Sequence, residues 1–119
     1  MMKFDHLRLP VGNLERSREW YVSALGLKVE FEVAERRTVA LQDGEGFAIF
    51  LEERPDAAPN GVALWFQVDD VDVTFKTWSE RGVAFAHGPQ KNYWGYGAEL
   101  ADPDGYPVRL WDQRSMGEK

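Results

Sequence analysis

The chain has no cysteine, which removes disulfides, thiolate metal sites and cysteine nucleophiles and favours a cytoplasmic location. Positive charge is also short: 14 Lys and Arg stand against 20 Asp and Glu, a formal net charge of −6. A surface that tracks phosphates needs a basic footprint to release counterions, so nucleic acid is not an expected partner. No apolar run is long enough to cross a bilayer, and no basic segment leads into a long apolar one. Neither a membrane partner nor a signal peptide is therefore expected. A phosphate-cradling glycine loop, a nucleophile elbow and a paired-histidine metal helix are absent too, leaving nucleophilic chemistry without an anchor.

What is present is a core-forming sequence of 119 residues, the length of one ordinary domain, with five Trp. More of these aromatics fall on strand-like segments than a core of this size needs, so some are expected to line a site. Residues 6–11 alternate, placing Leu7, Leu9 and Val11 on one face and His6 and Arg8 on the other. Asn13 then suits a helix cap, Leu14, Tyr21, Val22 and Leu25 recur at helical spacing, and Gly26 suits the stop. Strands are predicted at about 27–33, 36–42 and 47–53.

The pattern restarts at residues 62–68, where Leu64, Phe66 and Val68 oppose Ala63, Trp65 and Gln67. Asp70 can cap a second helix that carries Val71, Phe75 and Trp78 toward the core and ends at Gly82. Strands are predicted near 82–87, 96–102 and 106–112. Val11 overlays Val68, Leu14 overlays Val71, and the offset drifts only from 56 (Gly26 to Gly82) to 59 (Gly46 to Gly105). Such a period signals a duplicated supersecondary unit, each half too small to bury its sheet alone. The fold class expected is α+β: two tandem βαβββ modules forming a curved mixed sheet, half-barrels with helices on the outer face. A single domain over 1–119 would comprise module 1 at about 4–54, a linker at 55–61, module 2 at about 62–113 and a short C-terminal tail.

The Asp5-His6-Leu7 strand, the Trp20-Tyr21 to Leu25-Gly26-Leu27 helix end, Val68-Asp69-Asp70-Val71, Trp94-Gly95 and Asp102-Pro103-Asp104-Gly105-Tyr106 resemble the vicinal oxygen chelate superfamily over essentially the whole chain. That group includes glyoxalase I, extradiol dioxygenases, fosfomycin-resistance thiol transferases, methylmalonyl-CoA epimerase and bleomycin-resistance proteins. The second half is especially similar to the last of these, which bind an antibiotic and catalyse nothing. The resemblance implies a homodimer and four metal-ligand positions, two in each module. They fall on His6, Ala63, Phe50 and Arg109. Alanine and phenylalanine offer no lone pair and a guanidinium repels a cation, so one ligand of four remains and no metal cofactor is expected. Glu52, two residues beyond Phe50 on the same sheet face, could join His6 in an alternative divalent-metal site.

Giving the apolar strand faces to the helices leaves a second face with His6, Arg8, Ala48, Phe50, Glu52, Ala63, Trp65, Gln67, Arg109 and Trp111. Rings mixed with a few polar groups suit a small-molecule pocket. His6 reads either as a pocket polar group or as a hydrogen-bonded strand residue. Arg109 reads as a clamp for an anion or as the neutraliser of Glu52, and Trp65 and Trp111 as stacking platforms or as filler. Gln90 to Gly97, with Trp94, reads either as a loop closing over the pocket or as a packed turn in which Gly95 and Gly97 supply positive φ. His87 reads as a turn residue. The arginines suggest an anionic guest, the net acidity a cationic one. The reading reached is a metal-independent binding protein that sequesters or carries an aromatic or peptide-like ligand in a homodimer, with a role in antibiotic resistance. The alternatives are a metal-dependent lyase, isomerase, thiol transferase or dioxygenase using His6 and Glu52, and a metal-free enzyme with those two as acid and base.

Overall fold

The computed structural model describes residues 1–116. The chain divides into two compact units, Met1–Pro59 and the remainder from Asn60 onward.

The first unit runs β1 (His6–Val11), α1 (Leu14–Ser23), β2 (Lys28–Val33), a short 3₁₀ turn (Ala34–Arg36), β3 (Thr38–Gln42) and β4 (Ala48–Glu53). Its open sheet has the order β1-β4-β3-β2, with β1 and β4 parallel and the other pairs antiparallel. The predicted alternation holds: Leu9, Val11, Val39, Leu41, Ile49 and Leu51 are buried together with Leu14 and Tyr21 of α1. Local chemistry fixes the helix at both ends. The Asn13 side chain accepts the Arg16 N–H at 2.9 Å. At the other end Gly26, at φ 78°, lets the Leu27 N–H reach back to the Tyr21 carbonyl at 3.2 Å.

The second unit runs β5 (Leu64–Gln67), α2 (Val71–Glu80), β6 (His87–Asn92), β7 (Gly95–Ala101), β8 (Pro107–Trp111) and α3 (Gln113–Met116), in the sheet order β5-β8-β7-β6. Asp70 caps α2 by accepting the Val73 N–H at 3.0 Å. The Asp102 carboxylate accepts the Asp104 and Tyr106 N–H groups, each at 2.9 Å, and holds Asp102 to Gly105 in a tight turn. The tail expected after residue 113 begins as the helical turn α3, and its last residues, 117–119, lie outside the described residues.

Three expectations for the second unit are corrected. The strand placed at 82–87 is instead His87–Asn92, because Gly88-Pro89, which reads as a turn, is accommodated in a strand by a register shift between His87 and Gln90. A bulge is where a proline without an N–H fits. His87 thus opens β6. Gln90 to Gly97 forms the β6–β7 hairpin, which turns at Tyr93 and Trp94 and uses Gly95 at φ 119°, as the packed-turn reading expected of that glycine. Trp78, assigned to the core, is half-buried; it contacts Phe85 and the Arg81 guanidinium, and Val71 is the buried apolar residue of α2.

Candidate functional site

In the first unit the sheet face away from α1 carries His6, Arg8, Phe50 and Glu52, as the alternation required. His6 lies flat on Phe50, with ring centroids 3.6 Å apart and planes 14° off parallel. Its Nδ1 is 2.8 Å from the Asp5 carboxylate. Phe31 meets the same Phe50 ring edge-on at 5.5 Å. Ala40, which pairs with both Phe31 and Phe50 in the sheet register, is the small residue between the two rings. Arg8 and Arg54 both bind the Glu52 carboxylate, at 3.1 and 3.0 Å, so that carboxylate is already doubly engaged. A cleft of about 350 Å³ opens against Phe31, Phe47 and Phe50.

In the second unit the corresponding face is organised around Arg109. Its Nε donates to Glu99 at 3.0 Å, and both side chains are largely shielded, 17% and 24% exposed. The guanidinium lies over Trp65 at 5.4 Å, Trp94 at 5.5 Å and Tyr93 at 5.8 Å. Burial works against its charge, but hydrogen bonds to Glu99 and Tyr93 more than offset this and raise its pKa. Trp65 and Trp94 meet edge-to-face at 4.8 Å. Trp94 reaches this position because the hairpin folds its ring onto Gly97, where a Cβ would lie 2.6 Å from the ring and 2.2 Å from the Leu110 carbonyl oxygen. Gly97 therefore does not supply the positive φ expected of it; it supplies room.

The structure thus brings Trp65, Trp94 and Arg109 into one cluster and His6, Phe50, Arg8 and Glu52 into another. Gln67 and Trp111 are register partners at the end of the β5–β8 pairing. The carboxylate paired with Arg109 is Glu99 rather than Glu52, and His6 lies within hydrogen-bonding distance of Asp5. Sequence reasoning missed Glu99, Tyr93, Asp5 and Phe31. The repeat offset that linked Phe50 to Arg109 also links Ala40 to Glu99, and antiparallel pairing puts Glu99 opposite Arg109; that signal was available for Glu99.

A metal centre does not fit the side chains present. Among the described residues no three His, Asp or Glu side chains are gathered to hold an ion. Glu52 is committed to two guanidinium groups, and a third cation beside them would meet repulsion.

Tandem βαβββ units with ring-bearing sheet faces away from the helices define a class of small α+β proteins. The family model for the Glyoxalase/Bleomycin resistance protein/Dioxygenase superfamily matches residues 3–110, and the chain belongs to that superfamily. Among solved structures it is similar to a member of the same superfamily from Sphaerobacter thermophilus DSM 20745, at 25% identity and TM-score 0.77, covering 94% of this chain and 98% of that one. TnmS3, an antibiotic binding protein from Streptomyces sp. CB03234, is also 25% identical, with TM-score 0.74 and coverage of 94% and 96%. A possible glyoxalase from Bacillus cereus matches in fold at 20% identity and TM-score 0.73, covering 92% and 98%. No curated protein matches the chain in sequence. Among the described residues no helix is long and apolar enough to cross a membrane.

Proposed function

We propose that this protein binds an aromatic or peptide-like small molecule on its helix-free sheet faces without a bound metal, sequestering or carrying it rather than transforming it. The observation that carries this reading is the set of aromatic rings left accessible on those faces. Trp65 is 44% exposed and Phe31 46% exposed, and each touches another ring of its own cluster. Open rings beside polar groups provide apolar area for affinity and fixed hydrogen-bonding groups for orientation. The likeness to an antibiotic binding protein supports the same reading, as does a guanidinium at Arg109, where the metal-dependent relatives that the sequence resembles carry a carboxylate.

The test is a titration of planar aromatic and peptide-like compounds, antibiotics included, followed by tryptophan emission. A saturable change is expected, weakened roughly two- to tenfold by Trp65→Ala, since an aromatic pair contributes about 0.5–1.5 kcal/mol. No saturable response across the panel overturns the reading. Elemental analysis after growth with added Zn²⁺, Ni²⁺, Fe²⁺ and Mn²⁺ is expected to find no stoichiometric ion; one that is retained and then lost in His6→Ala would establish the metal-dependent alternative. By the same resemblance the protein acts as a homodimer, which light scattering checks directly, and the lack of cysteine supports a cytoplasmic setting.

A further inference from the structure

The first-unit cleft carries a charge asymmetry that bears on which guest it takes. Phe31, Phe47 and Phe50 form its apolar wall. Two acidic residues, Asp5 and Glu30, also line it. Regular strand alternation would turn Glu30 away from the face that Phe31 occupies. The β2–β3 register slips between Val29 and Phe31, and this irregularity brings Glu30 and Phe31 to the same cleft. Bulges next to binding sites re-aim side chains in this way.

The pairing of the charges separates carboxylates from guanidiniums. Arg8 and Arg54 are bound to Glu52, and Arg109 is bound to Glu99, so the arginines that suggested an anionic guest already have anions. Among the described residues the Glu30 carboxylate has no hydrogen-bond or ion-pair partner, and the Asp5 carboxylate has only the His6 imidazole. One cation, Lys3, also lines the cleft, leaving carboxylates in excess. Aromatic faces attract cations through their quadrupole, and carboxylates beside them add to that attraction.

We propose that this cleft takes a small organic cation, its ammonium or amidinium group against Glu30 and Asp5 and its apolar body against the three phenylalanines. This rests on the reading that the helix-free face binds a small molecule, and it adds the sign of the charge. Lys3 then works against the guest, so removing it should tighten binding.

The experiment titrates the full chain with three probes of similar shape, benzyltrimethylammonium, benzyl alcohol and benzoate, at low salt. Binding is followed by ¹⁵N amide shifts at Gln42 and Ala48, which line the cleft. The cation is expected to bind roughly fivefold more tightly than the alcohol, and benzoate more weakly than either. Glu30→Gln should weaken the cation roughly fivefold, Lys3→Met should tighten it by a similar factor, and neither should change the alcohol. Benzoate binding as well as the cation, or a cation unmoved by Glu30→Gln, overturns the charge assignment while shifts with the alcohol keep the small-molecule reading. If no probe moves these amides although a compound of the fluorescence panel binds, the cleft is not the site and the proposal falls alone. Silence in both assays removes both.

Discussion

The two units solve the same backbone problem with matching parts and then present different chemistry on the opposite face. In each, the fourth strand leads into a carboxylate that accepts the first helical N–H. Glu53 takes the Leu14 N–H at 3.0 Å, and Asp112 takes the Val71 N–H at 2.6 Å. Each has an aspartate-anchored turn before its last strand: Asp43 accepts the Glu45 and Phe47 N–H groups, as Asp102 accepts those of Asp104 and Tyr106. On the helix-free face the register partners differ in kind. Arg8, Phe50 and Ala40 lie side by side in the first unit, and Trp65, Arg109 and Glu99 in the second. Cation and ring have exchanged strands. The repeat therefore holds where unsatisfied N–H groups must be met, and it varies on the face that the helices leave uncovered.

The largest effect is expected from Gly97→Ala, which has no counterpart test in the first unit. Because the added Cβ would run into the Leu110 carbonyl as well as the Trp94 ring, the strand itself must move. A loss of about 3 kcal/mol in urea unfolding is expected, with a changed tryptophan emission spectrum in the folded state. A well-folded variant with unchanged emission would break the claim that Gly97 seats Trp94.

Next comes the carboxylate pair. Asp112 is fully buried and also accepts the Ser115 N–H at 2.7 Å, and although burial opposes its charge, these N–H groups lower its pKa overall. Asp112→Ala leaves a buried donor unmatched and should cost about 2–3 kcal/mol. Glu53→Ala should cost less, because solvent reaches that site. Equal losses would mean that the two caps are not distinguished by burial.

The smallest effect sharpens the same contrast through pH. Hydrogen bonds from Arg37, then from the Leu14 N–H, hold Glu53 down to about 2 against an ordinary 4.5. A depressed carboxylate stabilises the fold above its unfolded pKa, and that contribution fades as pH falls from 4.5 toward 2. The difference in urea midpoint between the wild-type chain and Glu53→Gln should therefore be present at neutral pH and close across that acid range. A gap independent of pH would show that Glu53 acts through packing alone.

Most of the fold could be read from the sequence because its signals are local. Asn13 and Asp70 bond N–H groups within their own helices, and Gly26 and Gly82 adopt the left-handed geometry that stops them. The strand β6 could not be placed this way: Gly88-Pro89 carries a turn's composition, and only the bulge against β7 makes it strand. The site was legible in its faces but not in its partners. Alternation put Arg109 and Trp65 on one side of β8 and β5, whereas the choice of Glu99 over Glu52 as counter-ion depends on sheet register. Glu30 was invisible for a related reason, since the register irregularity beside it breaks the alternation rule used to assign faces.

The parallel pairing of first and last strands has a consequence for assembly. His6 pairs with Ala48 and Leu64 with Val108, so each sheet joins the two ends of its unit. Hairpins such as β3–β4 and β7–β8 close short loops, whereas the parallel contacts need a long loop closed before they gain anything. In refolding, the hairpins should therefore gain amide protection before β1 and β5 do. A chain stopped short of Ala48 would hold a helix and a hairpin but no ring-lined face at all.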